Sequence, residues 1–95
     1  MIICENISTP SAWEEYLFWQ STNPKTLKRI NSLITEIARN PYAGIGKPEG
    51  LMHMLSGYWS RTVDQQNRMV YKVKEDALLI IQLRYHYLNK ENLFY

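Results

Sequence analysis

The feature that most constrains this chain is its last third, where three runs of β-forming residues follow one another with polar breaks between them. Gly57-Tyr58-Trp59-Ser60-Arg61-Thr62-Val63 is followed by Arg68-Met69-Val70-Tyr71-Lys72-Val73. Leu78-Leu79-Ile80-Ile81-Gln82-Leu83-Arg84-Tyr85-His86-Tyr87 comes next. Each run is rich in β-branched and aromatic side chains, which suit a pleated, half-buried surface. Residues 64–67 and 74–77 are short breaks, so the three runs read as an antiparallel meander. Arg68, Arg84 and His86 sit on these runs although cations suit a dry core poorly. The sheet is therefore expected to be both scaffold and working surface.

What comes before the meander must cover one face of it. Residues 1–7 open with two isoleucines and read as a short strand, in which Cys4 is a small buried hydrophobe. Thr9-Pro10 predicts a helix start, with Thr9 as cap and Pro10 at the first position, where no backbone donor is needed. Glu14 and Glu15 suit the positive end of its dipole. Trp13, Tyr16, Leu17 and Gln20 fall at helical spacing, and Phe18 and Trp19 widen the apolar arc. Asn23-Pro24 repeats the device and predicts a second helix to about Asn40, with Leu27, Ile30, Leu33, Ile34, Ile37 and Ala38 as its core side. Lys25, Lys28, Arg29 and Arg39 leave that helix locally basic. Asn40-Pro41 ends it, because a residue before proline avoids the α region. Residues 41–50 form the Gly/Pro-rich stretch, a loop long enough to carry function.

The chain makes one domain with one core at 95 residues, and 45% hydrophobic content argues against disorder. No apolar run is long enough to span a bilayer, and no basic-then-apolar signal opens the chain, so no membrane partner and a cytoplasmic setting are expected. A single cysteine fits the same reducing compartment. A net charge of +2 tolerates an anionic partner without requiring one. Two histidines and one cysteine lack metal-ligand spacing, so neither metal nor other cofactor is expected. The glycines of residues 44–50 match no phosphate-cradling motif, and no serine nucleophile elbow is present. What remains are acid, base and cationic candidates: Glu49 on the loop, Arg68 and Arg84 on strands, and His86 near the end.

Several segments give these candidates a context. Trp13-Glu14-Glu15-Tyr16-Leu17-Phe18-Trp19-Gln20, Gly46-Lys47-Pro48-Glu49, Leu55-Ser56-Gly57-Tyr58-Trp59-Ser60-Arg61, Arg68-Met69-Val70-Tyr71 and Arg84-Tyr85-His86-Tyr87 resemble, in order, the YoeB toxins of the RelE superfamily. The resemblance runs from about residue 3 to residue 87. It implies an α+β fold, β-α-α-β-β-β, with two helices on one face of an antiparallel sheet. One toxin domain would cover residues 1–87, and residues 88–95 would be a tail of uncertain origin. The resemblance also implies an endoribonuclease that cuts mRNA in the ribosomal A site, a cognate antitoxin of the YefM type, and a homodimer.

Carried over by position, the resemblance makes Glu49 the base, Arg68 the transition-state cation, His86 the acid and Tyr87 an assisting residue. Lys47, Arg61 and Arg84 are expected to contact substrate. RNA supplies its own nucleophile, the 2′-OH, so the protein needs no Ser or Cys. Met52 and Thr62 stand where relatives often carry Lys and Arg, which weakens the expected phosphate grip. The alternative is a catalytically weakened, toxin-like binding module that acts mainly through its antitoxin. Codon preference and the antitoxin's identity do not follow from the residues.

Joint work by Arg68 and His86 also demands a register. Opposed residues in an antiparallel pair share a face, and their numbers add to a constant. A plain two-residue turn at Glu75-Asp76 gives an odd sum and puts the two on opposite faces. An odd-length loop, with Asp76 taking the left-handed position, or one bulge between Lys72 and His86 is therefore expected.

Overall fold

A computed structural model describes residues 9–75 and 77–85. The expected first strand with Cys4, residue Asp76, the candidates His86 and Tyr87, and the tail at 88–95 lie outside the described residues. Two helices come first, α1 (Pro10–Thr22) and α2 (Pro24–Arg39). Both begin as their sequences require. The Thr9 side chain accepts from the Ala12 N–H at 3.0 Å, and the Asn23 side chain accepts from the Thr26 N–H at 3.3 Å, each with proline next in line. α2 ends at Arg39, just ahead of Asn40-Pro41.

Four strands follow, β1 (Glu49–Gly50), β2 (Trp59–Thr62), β3 (Arg68–Lys74) and β4 (Ala77–Gln82), hydrogen-bonded in that order in one antiparallel sheet. The meander is as expected, and β1 is an addition to it. Its two residues had read as the end of a loop, because two residues carry no period. Residues His53–Leu55 make a 3₁₀ turn between β1 and β2.

The helices cover one face of the sheet. Ala12, Tyr16 and Trp19 of α1 and Ile30, Leu33, Ile34 and Ile37 of α2 meet Met69, Tyr71, Leu78, Ile80 and Leu83 in one buried cluster. Alternate sheet side chains point at the helices, and Ser60 and Val70 on the other face are buried as well. α1 departs from the simplest helical reading. Trp13 and Leu17 stay more than a third exposed, while Ala12, Tyr16 and Trp19 form the inner stripe.

The β3–β4 register resolves the parity question. Lys74 pairs with Ala77, Val73 with Leu78, Lys72 with Leu79 and Tyr71 with Ile80, the odd sum of a two-residue turn. Val70 then pairs with Gln82, so Ile81 is an extra residue, a bulge, and the sum becomes even. The expected bulge is present. In the turn, Glu75 takes a left-handed backbone, φ 54°.

β4 stops at Gln82, and residues 83–85 of the run legible in the sequence lie outside it. The cause is a clamp from α1. The Leu83 N–H donates to Glu15 Oε1 at 2.8 Å, and Trp19 Nε1 donates to the Leu83 carbonyl at 2.9 Å. Both backbone polar groups of Leu83 are thus turned towards the helix, and Tyr85 adopts φ 70°.

Candidate active site

The sheet face away from the helices collects the chemistry. Glu49 pairs with Ser60, Ser60 with Val70, and Val70 with Gln82 across the four strands. Thr62 pairs with Arg68, one alternate position along. Opposed residues and next-but-one residues share a face, so Glu49, Thr62, Arg68 and Gln82 all belong to this one. Two strand spacings of about 4.8 Å and one dipeptide step of about 6.7 Å put the Cα atoms of Glu49 and Arg68 about 12 Å apart. Side chains of their length can close on a phosphodiester between them.

Arg68 is held at both ends. Its Nη1 donates to Thr62 Oγ1 at 2.8 Å, and its main-chain N–H donates to the Tyr85 carbonyl at 2.9 Å. Gln82 Nε2 donates to the same carbonyl at 3.0 Å, and the Tyr85 N–H donates to Asn67 Oδ1 at 2.7 Å. Asp64 sets the orientation of Asn67. Its Oδ1 accepts from the Gln66 and Asn67 backbone N–H groups at 2.8 Å and from Asn67 Nδ2 at 3.0 Å. The β2–β3 turn thereby grips the residue that directly precedes His86 in the chain. Asp-x-x-Asn at a turn is a legible signal, but its second use, as a grip on residue 85, is not.

Glu49 and Lys47 are exposed, and Lys47 adopts φ 51° in the last turn before β1. Of the other two expected substrate contacts, Arg61 is corrected by its burial, and Arg84 packs on an aromatic ring. Arg61 has no exposed surface. Its Nε donates to the Tyr71 hydroxyl at 3.1 Å, Nη1 to the Ile45 carbonyl at 3.0 Å, and Nη2 to the carbonyls of Asn40 and Ala43. Arg61 points at the helices because its parity is that of Trp59, and a charge there is tolerable only with its donors satisfied. Arg84 lies past the end of β4, with its guanidinium 3.6 Å from the Phe18 ring centroid and 4.7 Å from that of Tyr85. It packs against Phe18 of α1.

Two groups near this framework have shifted acidities. Burial holds the Glu15 carboxyl above the usual glutamate range, against the lowering pull of the Leu83 N–H and the Arg84 charge. Burial likewise pushes the Tyr71 hydroxyl up, opposed by its hydrogen bond from Arg61. Tyr71 therefore stays a donor, and it donates to the Pro41 carbonyl at 2.7 Å. Among the described residues, no group of three His, Cys, Asp or Glu could hold a metal ion.

A small α+β domain with two helices on one face of a four-stranded antiparallel sheet is the RelE-like toxin fold. Residues 8–87 match the family model described as YoeB-like toxin of bacterial type II toxin-antitoxin system, and this chain belongs to that family. It is 53% identical over 79 residues to the toxin YoeB of Streptomyces coelicolor, covering 83% of this chain and 94% of that one. Among solved structures, a YoeB–YefM complex from Staphylococcus aureus superposes with a TM-score of 0.81 at 43% identity, covering 86% of this chain and 97% of that one. A YoeB dimer from the same organism gives 0.80 at 42% over the same shares.

Proposed function

We propose that this toxin is an endoribonuclease that cuts mRNA in the ribosomal A site, with Glu49 as base, Arg68 as transition-state cation and His86 as acid. The observation that carries the reading is the sharing of one sheet face by Glu49 and Arg68, with Arg68 bonded through its main chain to the residue before His86. Glu49 takes the proton of the 2′-OH as that oxygen attacks the adjacent phosphorus. The Arg68 guanidinium meets the charge that builds on the pentacoordinate phosphorus. His86, assisted by Tyr87, protonates the departing 5′-oxygen, which leaves a 2′,3′-cyclic phosphate on one fragment and a 5′-OH on the other. Lys47, at the mouth of the site, contacts the RNA backbone.

Positioned acid–base groups contribute roughly 10²–10⁴-fold each, and one donor to a developing oxyanion about 10²–10³-fold. Glu49→Gln, Arg68→Ala and His86→Gln are each expected to abolish growth arrest and cleavage while circular dichroism stays that of the wild type. Primer extension on a translated message reads the cleavage. Full cleavage by the Glu49 or His86 variant at matched expression would sink the assignment.

The family, and the relatives solved as a YoeB–YefM complex and as a YoeB dimer, support two further parts of the reading. A YefM-like antitoxin neutralises this chain in the cytoplasm, and the free toxin is a homodimer. A monomer by light scattering across micromolar concentrations would remove the dimer.

A further inference from the structure

We propose that Arg61, working with Tyr71, is a positioning residue that sets Glu49 in place by gathering the carbonyls of the loop leading into it. The inference rests on the reading of Glu49 as the base. β1 is only two residues long, and its ladder consists of Glu49 on Ser60 and Gly50 on Trp59. A strand that short has little hold of its own, so the chain before it must fix where Glu49 lies.

That chain hangs from one guanidinium. Arg61 donates to the carbonyls of Asn40, Ala43 and Ile45, and Tyr71, which accepts from Arg61 Nε, donates to that of Pro41. The Thr62 N–H, next along β2, takes the Gly46 carbonyl at 2.7 Å. Gly46 lies so close that a Cβ there would stand 3.1 Å from the Arg61 Cβ. Every carbonyl from 40 to 46 that these bonds reach is thus tied to β2 or β3, three residues or fewer before Glu49 at the near end. Only a planar fork spans three carbonyls at once; an ammonium places its three donors on a single atom.

The test is Arg61→Lys, compared with the wild type in single-turnover cleavage of a labelled message on programmed ribosomes and in amide hydrogen exchange. At saturating protein the cleavage rate is expected to fall about ten- to a hundredfold, the scale of a small misplacement of a reacting group. The half-saturating concentration should stay near that of the wild type. The Thr62 and Leu51 amides, which bond Gly46 and Tyr58, should lose protection while those of α1, α2 and the β3–β4 hairpin keep theirs. A wild-type rate overturns the proposal. So does a lost rate with protection retained at Thr62 and Leu51. Where Arg61→Lys loses protection throughout the molecule, Tyr71→Phe carries the same comparison, since it removes only the hydroxyl. Wild-type cleavage by Glu49→Gln fails separately, because it overturns the role of Glu49 without reference to Arg61.

Discussion

Thr62 stands opposite Arg68 and gives it a hydroxyl to hold. The position had read as a lost cation; in the folded chain it is an orienting contact for the cation that remains. A hydrogen bond to a charged group is worth about 1.5–3 kcal/mol, and each 1.4 kcal/mol or so lost from the transition state is about tenfold in rate. Thr62→Val should therefore slow single-turnover cleavage by about tenfold, and Thr62→Ser should restore it. Equal rates for all three would show that the contact does not matter to the chemistry. Glu15 makes a pH prediction. The folded chain binds its proton more tightly than the unfolded chain does, because burial raises its pKa. Its contribution to stability is then full at acid pH and is lost as pH rises through the folded value. Glu15→Gln keeps an oxygen for the Leu83 N–H and removes that loss. The variant's melting temperature should gain on the wild type's between about pH 4 and about pH 7, on either side of the ordinary glutamate range and above. A difference that moves the other way refutes the sign.

At the scale of elements, the helix starts rest on single side chains. Thr9→Ala removes the acceptor for the Ala12 N–H and should destabilise the fold by about 1 kcal/mol in urea titration. A loss below a few tenths would mean that α1 holds its first turn by packing alone. Both caps, the α2 stripe and the meander were legible in the sequence because each follows from a local rule of spacing or backbone chemistry. So was the need for a parity change between β3 and β4, argued from Arg68 and His86 alone. The position of the bulge at Ile81 was not, since nothing in Leu-Leu-Ile-Ile-Gln distinguishes the unpaired residue. The end of β4 was hidden for a different reason. Glu15 and Trp19 lie more than sixty positions away and capture the N–H and carbonyl of Leu83 by tertiary contact. Arg61 was expected at the substrate alongside the residues carried over by resemblance, whereas its parity with Trp59 sends it inward. Deleting Ile81 should close the bulge, leaving Gln82 opposite Val70 and Leu83 facing the helices, so the variant should keep a cooperative thermal transition near the wild-type temperature. Loss of that transition would show that the ladder needs the extra residue.

At the scale of the molecule, two layers meet at a few long-range polar bonds as well as through the core. Trp19 spans them, from α1 to the end of β4, with its indole donor buried against Leu83. Trp19→Phe keeps an aromatic ring and leaves that carbonyl short of a partner, a change of about 1–3 kcal/mol, readable as a lower urea midpoint with an unchanged slope. The guanidinium of Arg61 spans them too, and its geometry has a consequence for how the chain assembles. Its partners, Tyr71 on the hairpin and the carbonyls after α2, come from segments that must each be formed before the fork can close on both. The loop therefore docks late in folding, after the β2–β3 hairpin and α2 have met, and it is among the first parts to release. Arg61→Lys should then speed unfolding and leave the refolding rate nearly unchanged; a slowed refolding rate would place the loop in the nucleus instead. If Glu49 is the base proposed above, a toxin so built acquires it only in the last step of becoming native, and a nascent or partly opened copy would be harmless to the ribosome that made it.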